Sequence, residues 1–123
     1  MYQFSDEEFD GIVSDAIDSI PEQFLEALDN VVFLVEDEVD PELYGDMDSE
    51  TLGIYDGVSL AERGTGYGAV SDFPDSIVVF KGPHERLEGT RDEIVEEIRK
   101  TVVHEVGHYF GMDEDRIEAM GYQ

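Results

Sequence analysis

The sequence predicts one domain that combines α-helices and β-strands. Apolar residues recur at helical spacing near both ends of the chain, and short runs rich in β-branched residues lie between these segments. A length of 123 residues suits a single domain, which we expect to span residues 1–123. Because 41% of the residues are hydrophobic, the chain carries enough apolar material for a packed interior.

The first predicted helix covers residues 6–18. Ser5 and Glu8 form a capping-box pattern in front of it. The residues that follow at the spacing of one helix face are Phe9, Ile12, Val13, Ala16, Ile17 and Ile20. Pro21 is typical of the first turn of a helix, so a second helix is predicted after it. We expect both helices to be scaffold.

Three segments carry strand signals. Residues 31–35 are continuously apolar, which predicts a strand buried on both faces and central in its sheet. A shorter signal at residues 52–55 lies inside the glycine-punctuated stretch from Asp40 to Asp75, which we expect to be rich in loops. Residues 77–80 predict the third strand.

The last predicted helix begins with a second capping box, formed by Thr90 and Glu93, and runs to Gly111. Its apolar positions form one broad stripe: Ile94, Val95, Ile98, Val102, Val106 and Tyr109. The final turns carry the pattern H-E-x-x-H, and its two histidines fall just off the edge of the stripe. The helix can therefore pack one side while it offers these side chains to a cleft.

The pattern H-E-x-x-H consists of His104, Glu105 and His108 with two residues between the last pair, and it holds two of the three histidines of the chain. Residues four apart lie one above the other on a helix, so both imidazoles can reach a single metal ion with Glu105 beside them. The competing interpretation is a structural helix whose histidines border the core. The position beside the apolar stripe favours the metal site.

A hydrolytic zinc site takes a third ligand from the protein and keeps one position for water. Gly111 can end the helix and turn the chain, and three carboxylates follow it. The resulting pattern is H-E-x-x-H-x-x-G-x-x-E, in which Glu114 is the predicted third ligand. Asp113 and Asp115 are the alternatives.

These motifs and their surroundings resemble the minimal-zincin family of small microbial metallopeptidases. The likeness runs from residues 52–57 through residues 77–83 to the segment HEVGHYFGMDEDRIEAMGY, and it includes residues 18–21 and 31–37. The resemblance implies an α+β fold in which a small mixed sheet packs against helices, with H-E-x-x-H on the C-terminal active-site helix. It also implies one Zn²⁺ per chain, held by His104, His108 and an acidic residue after the glycine. That residue is usually aspartate in the family, whereas Glu114 is one methylene longer.

The function that this resemblance implies is zinc-dependent hydrolysis of peptide bonds. A bound zinc ion lowers the pKa of its water towards about 7. Glu105 is then the general base that takes the proton from the water and returns it to the leaving amine. The strand at residues 77–80 is a candidate edge for pairing with a peptide substrate, and an ordinary core strand is the alternative.

Three residues are candidates for stabilising the oxyanion of the reaction: Tyr109, Tyr122 and His84. Tyr109 lies on the apolar stripe, which favours a place in the core. His84 follows a Gly-Pro turn, which favours exposure to solvent.

The charge and the lack of cysteine exclude several classes of protein. Thirty-two acidic residues face seven basic ones, which gives a net charge of -25 and argues against nucleic acid or membrane as partners. With no cysteine, thiolate metal sites and disulfides are excluded. Dispersed acids and few lysines are typical of a halophile protein, and an acidic mimic of nucleic acid is the competing interpretation.

The N-terminus is acidic and lacks an apolar signal segment, so we expect a cytoplasmic protein, and a monomer that acts on a peptide or protein. Two other functions remain open. One is a non-catalytic protein that zinc stabilises, and the other is an acidic interaction protein without a catalytic metal.

Overall fold

The structure, a computed structural model, describes residues 3–57, 75–112 and 115. This part of the chain forms five helices and three strands. They are α1 (Asp6–Asp18), α2 (Glu22–Ala27), β1 (Val31–Glu36), α3 (Pro41–Tyr44), β2 (Gly53–Asp56), β3 (Asp75–Phe80), α4 (Lys81–Glu85) and α5 (Arg91–Tyr109). The predicted α+β fold is confirmed, with a mixed sheet and the H-E-x-x-H segment on the last described helix.

The three strands form one sheet in the order β1-β3-β2. Strand β3 runs parallel to β1 and antiparallel to β2, and Val78 is aligned with Leu34 on one side and Ile54 on the other. β3 is the central strand and is buried on both faces. The prediction that residues 31–35 are central is wrong, and so is the prediction that residues 77–80 offer an edge to a peptide.

The side chains of β1 differ in burial between its two faces, although the apolar run predicts burial of both. Val31, Phe33 and Val35 pack against the main core. Val32 and Leu34 point to the opposite face, where they are 39% and 45% exposed. The unbroken apolar run of β1 therefore belongs to an edge strand of the described sheet. One face of this strand is covered by the main core, and the other face is partly exposed.

Helices α1 and α5 pack against each other, and α5 also lies against β2 and β3. The hydroxyl of Ser5 caps α1 by accepting the amide of Glu8 at 3.1 Å, which is one of the two bonds of the predicted capping box. Pro21 precedes α2 as its N-cap rather than lying in its first turn. The main core forms between these helices and one face of the sheet. Its buried members are Phe4, Phe9, Ile12, Val13, Ala16, Ile20, Ile77, Val79, Ile94, Ile98, Val102 and Val106.

A smaller apolar cluster covers the other face of the sheet. Val78 and Phe80 of β3 are buried there with Val39, and partly buried side chains of Tyr44, Met47 and Ile54 pack around them. The guanidinium of Arg86 donates to both Glu38 and Glu50, with the shortest bond to each at 2.8 Å. This double ion pair ties the segment after α4 to the two loops that flank α3.

Basic side chains in the described part of the chain all contact carboxylates: Lys81, Arg86, Arg91, Arg99 and Lys100. These pairs are exposed or partly exposed, so each contributes about 0–1 kcal/mol at most. An open cleft of about 550 Å³ is lined by Val35 and six carboxylates, namely Asp6, Asp10, Glu36, Asp37, Glu38 and Asp40. Most of the acidic residues therefore have no basic side chain available to pair with, since the chain has 32 acidic residues and seven basic ones. Within the described ranges, no helix is long and apolar enough to cross a membrane.

We predict that the protein loses stability when salt is diluted. Raising KCl from about 0.1 M to about 1 M shortens the Debye length from about 10 Å to about 3 Å. The added salt screens the repulsion between exposed carboxylates. The melting temperature, followed by circular dichroism, is expected to rise steadily over this range.

A charge-reduced variant separates screening from general salt effects. D10N/D37N removes two negative charges from the acidic cleft and is expected to melt about 4 °C above the wild type in low salt, which corresponds to roughly 1 kcal/mol. The difference should shrink in about 1 M KCl. A melting temperature that does not respond to salt in either protein contradicts the prediction.

Candidate metal centre

Helix α5 is fixed in rotation by its cap and its apolar stripe. The Thr90 hydroxyl accepts the amide of Glu93 at 3.2 Å, and the Glu93 carboxylate accepts the amide of Thr90 at 3.1 Å, so the predicted capping box is present. Ile94, Ile98 and Val102 are fully buried in the main core. Because this stripe packs against α1 and the sheet, the rotation of α5 about its axis is fixed. The directions of the side chains beside the stripe, including His104 and His108, are fixed with it.

Three potential ligand side chains meet at the C-terminal end of α5. One donor atom from each of His104, Glu105 and His108 lies within 4.8 Å of the other two. The imidazole rings are 4.8 Å apart between centroids and stand at 76° to each other. Both histidines are half-buried, while Glu105 is only 8% exposed. The structure thus brings together two nitrogen donors and a carboxylate around a volume that one small ion can share.

The donor set suits zinc. Imidazole nitrogen and carboxylate oxygen are both normal zinc ligands, and two histidines at positions i and i+4 of a helix are typical of hydrolytic zinc sites. The Nδ1 atom of His104 is shielded from solvent, so this ring is held with one nitrogen inside the protein. His104 and His108 are therefore the residues of this cluster best fitted to hold a zinc ion.

Gly111 ends the helix as the sequence predicts. Its φ of 81° is the left-handed conformation that glycine adopts without steric cost. The amide of Gly111 donates to the carbonyl of His108 at 2.9 Å, and the amide of Met112 donates to the carbonyl of Gly107 at 3.0 Å. These two bonds form a Schellman motif, which reverses the chain directly after His108.

The predicted third ligand, Glu114, lies outside the described residues, as does Asp113. Asp115 is helical and exposed. The choice of Glu114 over its two neighbours therefore stays a prediction.

Strand β2 lies in close contact with α5 at Gly53. A Cβ atom on Gly53 would lie 2.7 Å from Cγ2 of Thr101 and 3.5 Å from Cγ of Glu105. Only a residue without a side chain fits between the strand and the helix here. Glycine inside a strand is a known sign of such close approach, and this was the signal available in the sequence.

His84 is buried rather than exposed, so the expectation that it faces solvent is wrong. Its side chain is 0% exposed, with Nδ1 2.7 Å from the carbonyl of Phe80 and Nε2 2.9 Å from the hydroxyl of Thr101. The Gly-Pro pair before it is not an open turn but part of the short helix α4, which turns the ring inward. Burial lowers the pKa of His84 to about 4, against a partly compensating hydrogen bond to Phe80.

Tyr109 belongs to the core, as its place on the apolar stripe indicated. It is fully buried, its ring packs edge-on against Tyr55 at 6.0 Å, and its hydroxyl accepts the amide of Asp29 at 3.1 Å. Tyr122, another candidate for the oxyanion role, lies outside the described residues.

The sequence profile of a family described as zincin-like metallopeptidases matches residues 28–122. The chain belongs to this family. The match covers the three strands and the whole H-E-x-x-H segment and begins after α2.

A solved structure of a conserved hypothetical protein from Thermus thermophilus is similar in fold. The TM-score is 0.51 at 21% sequence identity, and the alignment covers 95% of this chain and 97% of that one. At this identity the likeness concerns the fold alone, and it runs over nearly the full length of both chains. No curated protein matches the chain.

Replacing Gly53 with alanine is expected to destabilise this zincin-like chain by about 1–3 kcal/mol, because the new methyl group overlaps Thr101 and also lies 3.0 Å from the carbonyl of Val78. Urea unfolding measures the loss. T101S removes the overlapping Cγ2, so G53A/T101S should lose less than the sum of the two single variants. Additive losses would show that Gly53 is not confined by Thr101.

The buried His84 predicts a specific dependence of stability on pH. Its folded-state pKa of about 4 is below the usual histidine value of 6.5, so between these pH values the unfolded chain binds a proton that the folded chain does not. Its contribution of about 3 kcal/mol is therefore complete above pH 6.5 and is lost as the pH falls towards 4.

The variant H84Q isolates this contribution, since it removes one ionisable side chain and leaves every other one in place. In urea unfolding at constant high salt, the stability of the wild type relative to H84Q should fall by about 3 kcal/mol from pH 6.5 to pH 4. A difference that stays constant over this range contradicts a buried neutral His84.

Proposed function

We propose that the protein is a zinc-dependent peptidase in which Glu105 is the general base. The observation that carries this proposal is the meeting of His104, Glu105 and His108 within 4.8 Å, in a chain of the zincin-like metallopeptidase family. The two imidazoles hold the ion, and Glu114 is the proposed third ligand, with Asp113 and Asp115 as alternatives. When bound, zinc supplies a Lewis acid that polarises the peptide carbonyl and lowers the pKa of water.

Glu105 is well placed for proton transfer. Glu105 lies between the two histidines in the sequence, and its carboxylate lies beside their rings in the structure. The side chain of Glu105 is almost completely buried. An enclosed carboxylate keeps one orientation, which proton transfer over a single hydrogen bond requires. Glu105 would accept a proton from the attacking water and deliver it to the leaving amine.

Strand β2 is the proposed place for the substrate backbone. β3 is paired on both sides, whereas β2 lies at one side of the described sheet and touches α5 at Gly53, next to Glu105. An extended peptide aligned with β2 would bring its carbonyl groups past the metal ligands, with main-chain hydrogen bonds holding it. This arrangement favours extended peptides or unfolded protein segments as substrates.

The decisive experiment combines metal analysis with a peptidase assay in high salt. The wild type should contain close to one zinc ion per chain and cleave fluorescently labelled casein. E105A should keep the zinc and lose activity by about 100-fold or more, since general-base catalysis contributes about 10²–10⁴-fold. H104A should lose both the zinc and the activity.

D92A is the matched control, because it removes an exposed carboxylate from the first turn of the same helix. It should retain both zinc and activity. Wild-type protein without zinc overturns the proposal. A fold and melting temperature that do not change when a chelator is added favour an acidic interaction protein. Bound zinc that raises the melting temperature, with no cleavage of casein by the wild type, indicates the non-catalytic zinc-stabilised protein instead.

A further inference from the structure

A polar connection crosses the core between the end of β3 and the middle of α5. It runs from the carbonyl of Phe80 through the ring of His84 to the hydroxyl of Thr101, with bonds of 2.7 and 2.9 Å. Both side chains are buried, and the ring of Phe9 packs against the imidazole at 5.9 Å. A polar connection in such surroundings keeps its geometry, because breaking it would leave buried polar groups without partners.

The direction of each hydrogen bond follows from counting protons. A carbonyl oxygen only accepts, so Nδ1 of His84 carries the proton and donates to Phe80. In the neutral ring Nε2 is then an acceptor, and the Thr101 hydroxyl must donate to it. The same hydroxyl lies 3.0 Å from the carbonyl of Glu97, so His84 competes with the helix backbone for one proton. His84 thereby orients the Thr101 side chain towards itself.

Thr101 passes this constraint to the candidate active site. Thr101 and Glu105 are one helical turn apart, and both face Gly53 of β2, at 2.7 Å and 3.5 Å from the place where its Cβ would be. With the hydroxyl directed to His84, the methyl group of Thr101 lies against Gly53 in the gap between α5 and β2. Glu105 lies in the next turn of the same gap.

We propose that His84 is a positioning residue for Glu105, acting through the Thr101 hydroxyl to fix the spacing of α5 and β2 at Gly53. The proposal rests on the proposed function in one respect, which is the role of Glu105 in proton transfer. His84 touches neither substrate nor metal in this scheme, so its loss should change the orientation of Glu105 while leaving the metal ligands in place.

Two amide variants differ in the one contact that matters. The amide of H84Q reaches the place of Nε2 and can still bond to Thr101, whereas the amide of H84N reaches only the place of Nδ1 and keeps the bond to Phe80. T101V removes the hydroxyl at nearly constant shape and tests the same link from the other side. Should H84N fail to fold, T101V carries the test alone.

The first measurement is structural and needs no activity. Nuclear Overhauser contacts between the α-protons of Gly53 and the γ-protons of Glu105 should be present in the wild type and H84Q, and lost or weakened in H84N and T101V. Unchanged contacts in folded H84N and T101V overturn the proposal, whatever the protein catalyses.

The second measurement is kinetic, at a temperature where all variants are folded. H84N and T101V should retain zinc and show kcat lowered about 10–100-fold with little change in KM, whereas H84Q should stay within a few-fold of the wild type. H84N/T101V should be no slower than the slower single variant, because both changes break one link. Losses in H84Q equal to those in H84N overturn the proposal.

The two measurements distinguish this inference from the proposed function. A wild type that binds zinc but cleaves nothing removes the peptidase assignment, and the nuclear Overhauser contacts still decide whether His84 sets the spacing. If the wild type cleaves casein but the contacts between Gly53 and Glu105 are the same in H84N and T101V as in the wild type, only the positioning role of His84 is removed.

Discussion

The packing of the apolar stripe of α5 is the constraint on which the candidate site depends. Ile94, Ile98 and Val102 are sealed between α1 and the sheet, and moving them to water would cost about 1.5–3 kcal/mol each. The helix cannot rotate without paying that cost. His104, Glu105 and His108 therefore lie together because of core residues that are not themselves candidate ligands. The capping box at Thr90 and the Schellman turn at Gly111 fix where this helix begins and ends.

Two polar side chains inside the described part of the core, His84 and Tyr109, bind partners in other elements. His84 bridges Phe80 and Thr101, and the Tyr109 hydroxyl accepts the amide of Asp29. Each arrangement links α5 to a different part of the chain, which an apolar side chain of equal size could not do with the same directional precision. A candidate site in which a proton acceptor must keep a fixed relation to two imidazoles gains from such links.

Signals that act over a few residues could be predicted from the sequence, and those that depend on pairing could not. The caps of α1 and α5, the left-handed Gly111 and the position of H-E-x-x-H beside the stripe all follow from local chemistry. Residues 31–35 and 77–80 are equally apolar, so nothing local shows which is central. The order β1-β3-β2 arises from crossovers between distant segments. His84 was misjudged for the same reason, since its partner Thr101 is seventeen residues away.

The donor chemistry, rather than the charge, explains why a metal would select α5. The acidic cleft near α1 has six carboxylates and attracts any cation, but oxygen donors alone suit hard ions such as Mg²⁺, Ca²⁺ and K⁺. Those attractions weaken as salt rises, because they act across solvent. His104 and His108 offer nitrogen donors at a fixed helical spacing, and coordination to nitrogen is not screened by salt. A strongly acidic surface is therefore compatible with the proposed zinc site.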